Sequence, residues 1–508
     1  MEVNDLFYKW VPAPVKLLVL FILLFALLVC NGVYLGNITD MYSSLAVYAE
    51  PFTMATNALY IGMGIGLIIG LRLKLRFTSK TLIIFGFVNV LLMNAVCGFV
   101  NDPWIMIAAV FWLGVSKMTA LIEVFIIWMV IWARKPDTTK VYPFIYSTAL
   151  GGIYFTTWIT AKISFLYSWR FTYIFILLLI LCCLVLCVLL MERHPLKRKV
   201  PLYQFDLTGL ILLAASLLLL NYICAYGKVE DWFNSAQIKA AALMLVVFSV
   251  LFIWRESTVK RPMVNLKMFS RPLLQTGLFY FFLMGIFAPA TFQSAFAVGV
   301  LKYENHRNVE LNLYMIPGVL AGAVICYVWY LKQMSRHLLM ATGFALFTLY
   351  HFIMYQSFGL DFTIDDFWIP SIIKGMAMVI IYIAVGLYAT AGMPLTQVMA
   401  GAGLVIIVRS FVGTAIFSGI YNYYLYAQRL RHFEYVGGWT DRNDTGRSIP
   451  FTTELYVRMQ QQATLAAAKE LTGYIIIAGV FIVIMIVIFF IAQMIRREKM
   501  IQAQPSQA

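Results

Sequence analysis

The chain has 508 residues, of which 62% are hydrophobic and 12% charged, with a formal net charge of +15. Soluble globular chains are about 45–50% apolar and about 25% charged, so this composition excludes a soluble enzyme, a disordered chain and a nucleic-acid-binding domain. In so apolar a chain the surplus of Lys and Arg reads as basic loops on the cytoplasmic face of a membrane.

A membrane-spanning helix takes about 20 mostly apolar residues. Fourteen such runs follow one another, at 15–37, 48–71, 81–99, 104–132, 143–166, 171–191, 206–226, 237–254, 273–299, 310–330, 338–357, 367–392, 396–426 and 471–494. The first is too long and too late for a cleaved signal peptide. The connections are short except 427–470, which reads as a long outer loop, so there is no room for a soluble catalytic domain. Alternating the loops from an inside N-terminus puts twenty-two Lys and Arg inside, among them Arg72, Lys74, Arg76, Lys80, Lys197, Arg198 and Lys199. Ten fall outside, six of them within 427–470. This bias predicts a multi-pass protein of the cytoplasmic (inner) membrane with both termini cytoplasmic. All seven cysteines lie inside apolar runs, where they read as small core residues.

The segment from Phe205 to Pro272 is the most distinctive. It begins Phe205-Asp206-Leu207-Thr208-Gly209 before one apolar helix, continues Gly227-Lys228-Val229-Glu230-Asp231-Trp232 before a second, and closes with Trp254-Arg255-Glu256 and Arg261-Pro262-Met263-Val264-Asn265. It resembles the middle of the fourteen-helix drug:proton antiporters of the major facilitator superfamily, the QacA/EmrB type. Ser168-Trp169-Arg170, Gln293, Lys374-Gly375, and Arg409 with Gly413 are similar to the same branch. The resemblance implies an all-α membrane fold of six, two and six helices: an N-terminal bundle at 1–200, a two-helix linker at 201–272 and a C-terminal bundle at 273–508. It implies proton-coupled efflux of amphipathic small molecules. Members of the branch in double-membraned bacteria often work with a periplasmic adaptor and an outer-membrane channel, and the resemblance implies such partners here.

The N-terminal half departs from the family pattern. The loop after the second helix usually reads Gly-x-x-x-Asp-Arg-x-Gly-Arg-Arg/Lys. Here Gly70-Leu71-Arg72-Leu73-Lys74-Leu75-Arg76-Phe77-Thr78-Ser79-Lys80 keeps basic residues, Arg76 and Lys80 among them, and lacks the Asp. The fourth helix has Val110 where the family has Arg before Gly114, and the fifth has Gly151-Gly152 without Pro.

An ionisable residue deep in a membrane costs roughly 2.5–3.5 kcal/mol on insertion scales and is a functional candidate by default. Lys117 is central in the fourth run and Arg409 in the thirteenth; Lys374 lies outward of the centre of the twelfth. Glu123 is the single acid well inside any run. At 100° per residue, Lys117 and Glu123 lie about 120° apart around their helix, so each needs another partner, water or a substrate. Facing one cavity, the three cations would make it net positive and favour anionic or zwitterionic amphiphiles. With Glu123 and Gln293 they form the candidate substrate and proton pathway, with Arg76 and Lys80 in a gating loop. The plain alternative is that they are structural pairs locking the bundle. Lys162 and Glu50, near span ends, read as snorkelling and wet.

No His/Asp/Glu cluster has metal spacing, no Gly-x-Ser-x-Gly occurs, and no phosphate-binding loop precedes a Lys-Ser/Thr pair. The expectation is a monomeric carrier without cofactor, metal or nucleic acid, whose partners are a small-molecule substrate, protons and the lipid bilayer. A same-fold carrier of organic anions with other coupling or direction stays open. So do, less favoured, a lipid-modifying membrane enzyme and a receptor. Gly62, Gly64, Gly66 and Gly70, and Gly401, Gly403, Gly413 and Gly419, give the second and thirteenth runs small-residue stripes for close helix approach or rocking.

Overall fold

A computed structural model describes residues 6–133, 138–193, 206–359, 361–441 and 452–503. These are almost all helical, and the isolated antiparallel bridge Phe7–Met191 ties the start of the chain to a later loop. Among the described residues, eleven helices are long and apolar enough to cross a membrane. Two shorter apolar helices, Ala13–Val29 and Pro272–Met284, accompany them. The protein is thus a multi-pass membrane chain. Every one of the fourteen apolar runs carries helix, but two are interrupted.

The N-terminal group consists of α1 (Ala13–Val29), α2 (Ile38–Leu45), α3 (Glu50–Lys74), α4 (Ser79–Phe99), α5 (Pro103–Ala133), α6 (Thr138–Leu166) and α7 (Trp169–Leu190). Then come α8 (Leu207–Tyr226) and α9 (Ala236–Thr258). The C-terminal group comprises α10 (Pro272–Met284), α11 (Thr291–Ser294), α12 (Asn305–Glu310), α13 (Met315–Leu331), α14 (Arg336–Ser357), α15 (Trp368–Ala389), α16 (Leu395–Ile407), α17 (Gly413–Asp441) and α18 (Thr453–Ala503).

The first run stops at Cys30. Gly32 has φ +78°, a left-handed conformation that glycine adopts without steric cost. The ninth run stops at Met284, where a Cβ on Gly285 would crowd the Gly413 backbone, and Pro289 then prevents continuation. A π-helical turn, Ala295–Val300, follows α11, and a second, Val408–Val412, joins α16 to α17.

The stretch 427–470 corrects the expectation of a loop. Residues 427–441 continue α17 and 453–470 begin α18, which has 51 residues and is about 77 Å long at about 1.5 Å per residue. The Ala, Gln, Glu and Leu content of 453–470 favours helix. The two arms meet at Phe433–Tyr456, 5.5 Å between ring centroids, and at His432 Nε2–Glu470, 3.1 Å. The segment 442–451, with Arg442, Arg447 and Asn443-Asp444-Thr445, lies outside the described residues, as do Lys197, Arg198, Lys199 and Phe205.

Lipid tails are as apolar as Leu, so helices here are held by close packing and internal hydrogen bonds. α3 and α5 interlock at reciprocal glycines: a Cβ on Gly62 would overlap the Phe111 carbonyl, and one on Gly114 the Leu59 carbonyl. The two groups meet where α3 packs on α16 and α6 on α13. At the first seam a Cβ on Gly403 would stand 2.6 Å from the Gly64 carbonyl. α8 packs on α3, and Asn57 Nδ2 donates to Asn221 Oδ1 at 2.9 Å. Asp206 caps α8 through Gly209 N–H and pairs with Arg255 at 3.2 Å, while Arg72 reaches the Pro262 carbonyl at 2.6 Å.

Candidate functional site: buried cations at the helix-group seam

Lys117, at the middle of α5, is 1% exposed. Its ammonium donates to the carbonyls of Leu28 at 3.1 Å and Cys30 at 3.2 Å and to Asn31 Oδ1 at 2.5 Å. These oxygens sit where α1 ends, and the last carbonyls of a helix lack amide partners. A cation there also meets the negative end of the helix dipole. All three ammonium donors are used. Lys117 therefore closes the break in the first apolar run.

Glu123, also 1% exposed, accepts from Lys74 at 3.0 Å. The charge count assigns Lys74 to a loop, whereas the structure makes it the last residue of α3, packed on α5. Lys80, at the start of α4, donates to the carbonyls of Val188 at 3.3 Å and Met191 at 2.5 Å, at the end of α7. Thr78 caps α4 through the Thr81 N–H. Arg76 lies in the tight connection between α3 and α4, its N–H bonded to the Leu73 carbonyl at 3.0 Å.

Gln293 and Lys374 come together. Gln293 Oε1 lies 3.5 Å from Lys374 Nζ and accepts from the Tyr350 hydroxyl at 3.3 Å. The ammonium stands 5.1 Å over the Tyr350 ring. His351 lies edge-on to that ring and bonds the Phe347 carbonyl through Nδ1 at 2.8 Å.

Arg409 sits on the π-turn between α16 and α17, where an extra residue in the turn re-aims the side chain, and is 9% exposed. Its guanidinium donates to the Tyr146 hydroxyl of α6 at 3.0 Å and to Ser410 Oγ at 3.3 Å. It lies 4.2 Å over the Tyr382 ring and 5.4 Å over that of Tyr146, with Phe281 at 5.9 Å. Taking a charge out of water costs several kcal/mol. Each aromatic face offsets about 0.5–2 kcal/mol of that.

Lys117 bonds to the end of α1, Lys374 lies on Gln293, and Arg409 bonds to Tyr146 and Ser410. Among the described residues, Lys117 and Arg409 are held by neutral groups only. Sequence reasoning missed Lys74, Tyr350, Tyr382 and Tyr146. One signal existed: Tyr142 and Tyr146 are four residues apart, which puts them on one face of α6.

No family model matches the sequence. A stretch of 216 residues is 22% identical to the multidrug export protein EmrB of Haemophilus influenzae, covering 41% of this chain and 41% of that protein, so the match spans less than half the length of the relative. Among solved structures, a bacterial homologue of the human drug peptide transporters is 14% identical over 96% of this chain and 100% of its own, with TM-score 0.59. Tetrameric PepTSo2 matches 95% of this chain and 99% of its own at 14% identity and TM-score 0.57. The nucleoside transporter NupG matches 94% of this chain and 99% of its own at 12% identity and TM-score 0.53. The proteins this chain is similar to are transporters and not enzymes, and its fold is the one that those solved transporters share.

Proposed function

We propose that this protein is a secondary active transporter of amphipathic small molecules, driven by proton entry and built as fourteen spans in a six, two and six arrangement. The single observation that carries the reading is a buried cation, Arg409, bonded across the seam between the N- and C-terminal helix groups. In transporters of repeated bundles the substrate site lies near the bilayer midplane at the repeat interface, and rocking of the bundles exposes it to each side in turn. The EmrB match supports efflux as the direction. Glu123, the most buried acid among the described residues, is the proton carrier in this reading. The basic end with Lys74 and Lys80 faces the cytoplasm of an inner membrane, and the α17–α18 arm projects outward, where a periplasmic adaptor could engage it.

A second reading, a carrier of organic anions, is favoured by one observation: Lys117 and Arg409 have neutral partners. Purified protein in sealed vesicles, offered labelled cationic dyes, anionic detergents, peptides and nucleosides with and without a pH gradient, tests both readings. Gradient-dependent movement of an amphiphile is expected. Movement of none of the four classes refutes the transporter. Orientation is tested separately by impermeant thiol labelling of single cysteines at Lys199 and Thr445, both outside the described residues. Labelling of 199 from outside in intact cells refutes it.

A further inference from the structure

The geometry points to Arg409, with Tyr146 and Tyr382, as the anchoring site for a flat aromatic anion such as a carboxylate or sulfonate, whose acidic group replaces the Tyr146 hydroxyl on the guanidinium. The inference rests on the transporter reading above and names the substrate class of its central site.

Two observations carry it. The guanidinium is buried, yet its hydrogen-bond partners are two hydroxyls, Tyr146 and Ser410, with aromatic faces around it. A planar guanidinium has five donors in a fork that matches a carboxylate or sulfonate edge, and neutral single acceptors leave most of that fork unused. Second, the surrounding rings come from separate helices of both groups: Tyr146 from α6, Tyr382 from α15 and Phe281 from α10. Tyr146 and Tyr382 stand edge to face at 5.8 Å between centroids. An aromatic body entering between them exchanges one ring contact for another.

Tyr146 and the ligand are thus competitors for one cation. Binding of the anion breaks the Arg409–Tyr146 bond between the helix groups, which couples occupancy of the site to freedom of the seam. A ligand shifts such an equilibrium only through its differential affinity for the two states, and here the differential contact is the vacated guanidinium.

The experiment uses the full chain in lipid nanodiscs and equilibrium binding of naphthalene-1-sulfonate, its neutral isostere naphthalene-1-sulfonamide and the cation 1-naphthylmethylammonium. The sulfonate should bind about tenfold or more tighter than the sulfonamide, as expected of a charge-assisted pair. Arg409→Gln should remove that preference. Tyr146→Phe should tighten the sulfonate about threefold or more by deleting the internal competitor. Sulfonate binding no tighter than sulfonamide, or a monodisperse Arg409→Gln protein that keeps the preference, overturns the inference. If Arg409→Gln does not fold, Tyr146→Phe decides: unchanged or weaker sulfonate binding overturns it equally. A wild-type protein that shows the preference but moves no compound in vesicles keeps this site and refutes the transporter. Transport without anion preference does the reverse.

Discussion

The Tyr146 hydroxyl on α6 accepts a hydrogen bond from Arg409 at 3.0 Å, joining two residues 263 positions apart in sequence. A neutral-to-charged bond contributes about 1.5–3 kcal/mol net. That is enough to bias a closed seam and small enough to be broken in each cycle.

Tyr146→Phe should therefore weaken closure without unfolding the chain. A loss of about 1.4 kcal/mol changes the ratio of closed to open seam about tenfold. A single cysteine at Ile68, on the α3 face that meets Gly403 of α16, should react faster with thiol reagents in the Tyr146→Phe background. Equal reaction rates in both backgrounds would show that this bond does not hold the seam.

Lys117 presents the opposite case, because its partners are the oxygens at the end of α1. Lys117→Met removes the donor and strands two carbonyls and Asn31. Each stranded buried acceptor costs about 1–3 kcal/mol. The variant should melt at lower temperature in detergent, with binding of transported compounds retained in whatever folds. An unshifted melt with lost binding would return Lys117 to the substrate pathway.

Gly403 approaches Gly64 so closely that even a Cβ would meet the carbonyl at 2.6 Å. Gly403→Val should keep both helix groups folded and hold α16 off α3. The expected result is a protein of near-normal thermal stability that exposes its interior to one side only and has lost most vesicle transport. Wild-type transport by Gly403→Val would mean that this contact is not needed in the cycle.

How far the sequence discloses this molecule follows from its solvent. Every apolar run is found as helix because about 20 apolar residues leave few alternatives in lipid. The breaks at Asn31-Gly32 and at Gly285 to Pro289 carried ordinary signals, and the apolar composition around them masked those signals. The rotation of each helix was not legible, since faces toward lipid and faces toward neighbours are both apolar. Hence Lys117 could be placed in depth but not given its partner on α1. Lys74 was read as loop because its run ends at Leu71, yet the helix continues three residues further and delivers its ammonium to Glu123. The 427–470 arm was hidden by its polarity: the spanning-length criterion sees apolar residues, not helix formers.

The pair between Glu123 and Lys74 frames the last prediction. Glu123 is 1% exposed, while the Lys74 side chain is 20% exposed. The unequal burial matters, because Lys74 can turn to water when its partner is neutral and Glu123 cannot. A carboxylate held by a movable cation, at the last residue of a helix that takes part in the seam, can exchange its lysine for a proton as the seam opens. Glu123→Gln keeps the volume and a hydrogen-bond acceptor for Lys74 and abolishes titration. The variant should fold, since the cation it strands reaches solvent. It should still bind a transported compound and exchange it across vesicle membranes. Concentration against a gradient is what it should lose. One pH unit can sustain about tenfold accumulation when one proton accompanies each substrate, since about 1.4 kcal/mol is a factor of ten. In Glu123→Gln that ratio should fall to about one while exchange continues. Loss of expression or of thermal stability would make the pair structural. A well-folded variant that still accumulates substrate at the wild-type level would place the coupling proton elsewhere or show that transport here runs without one.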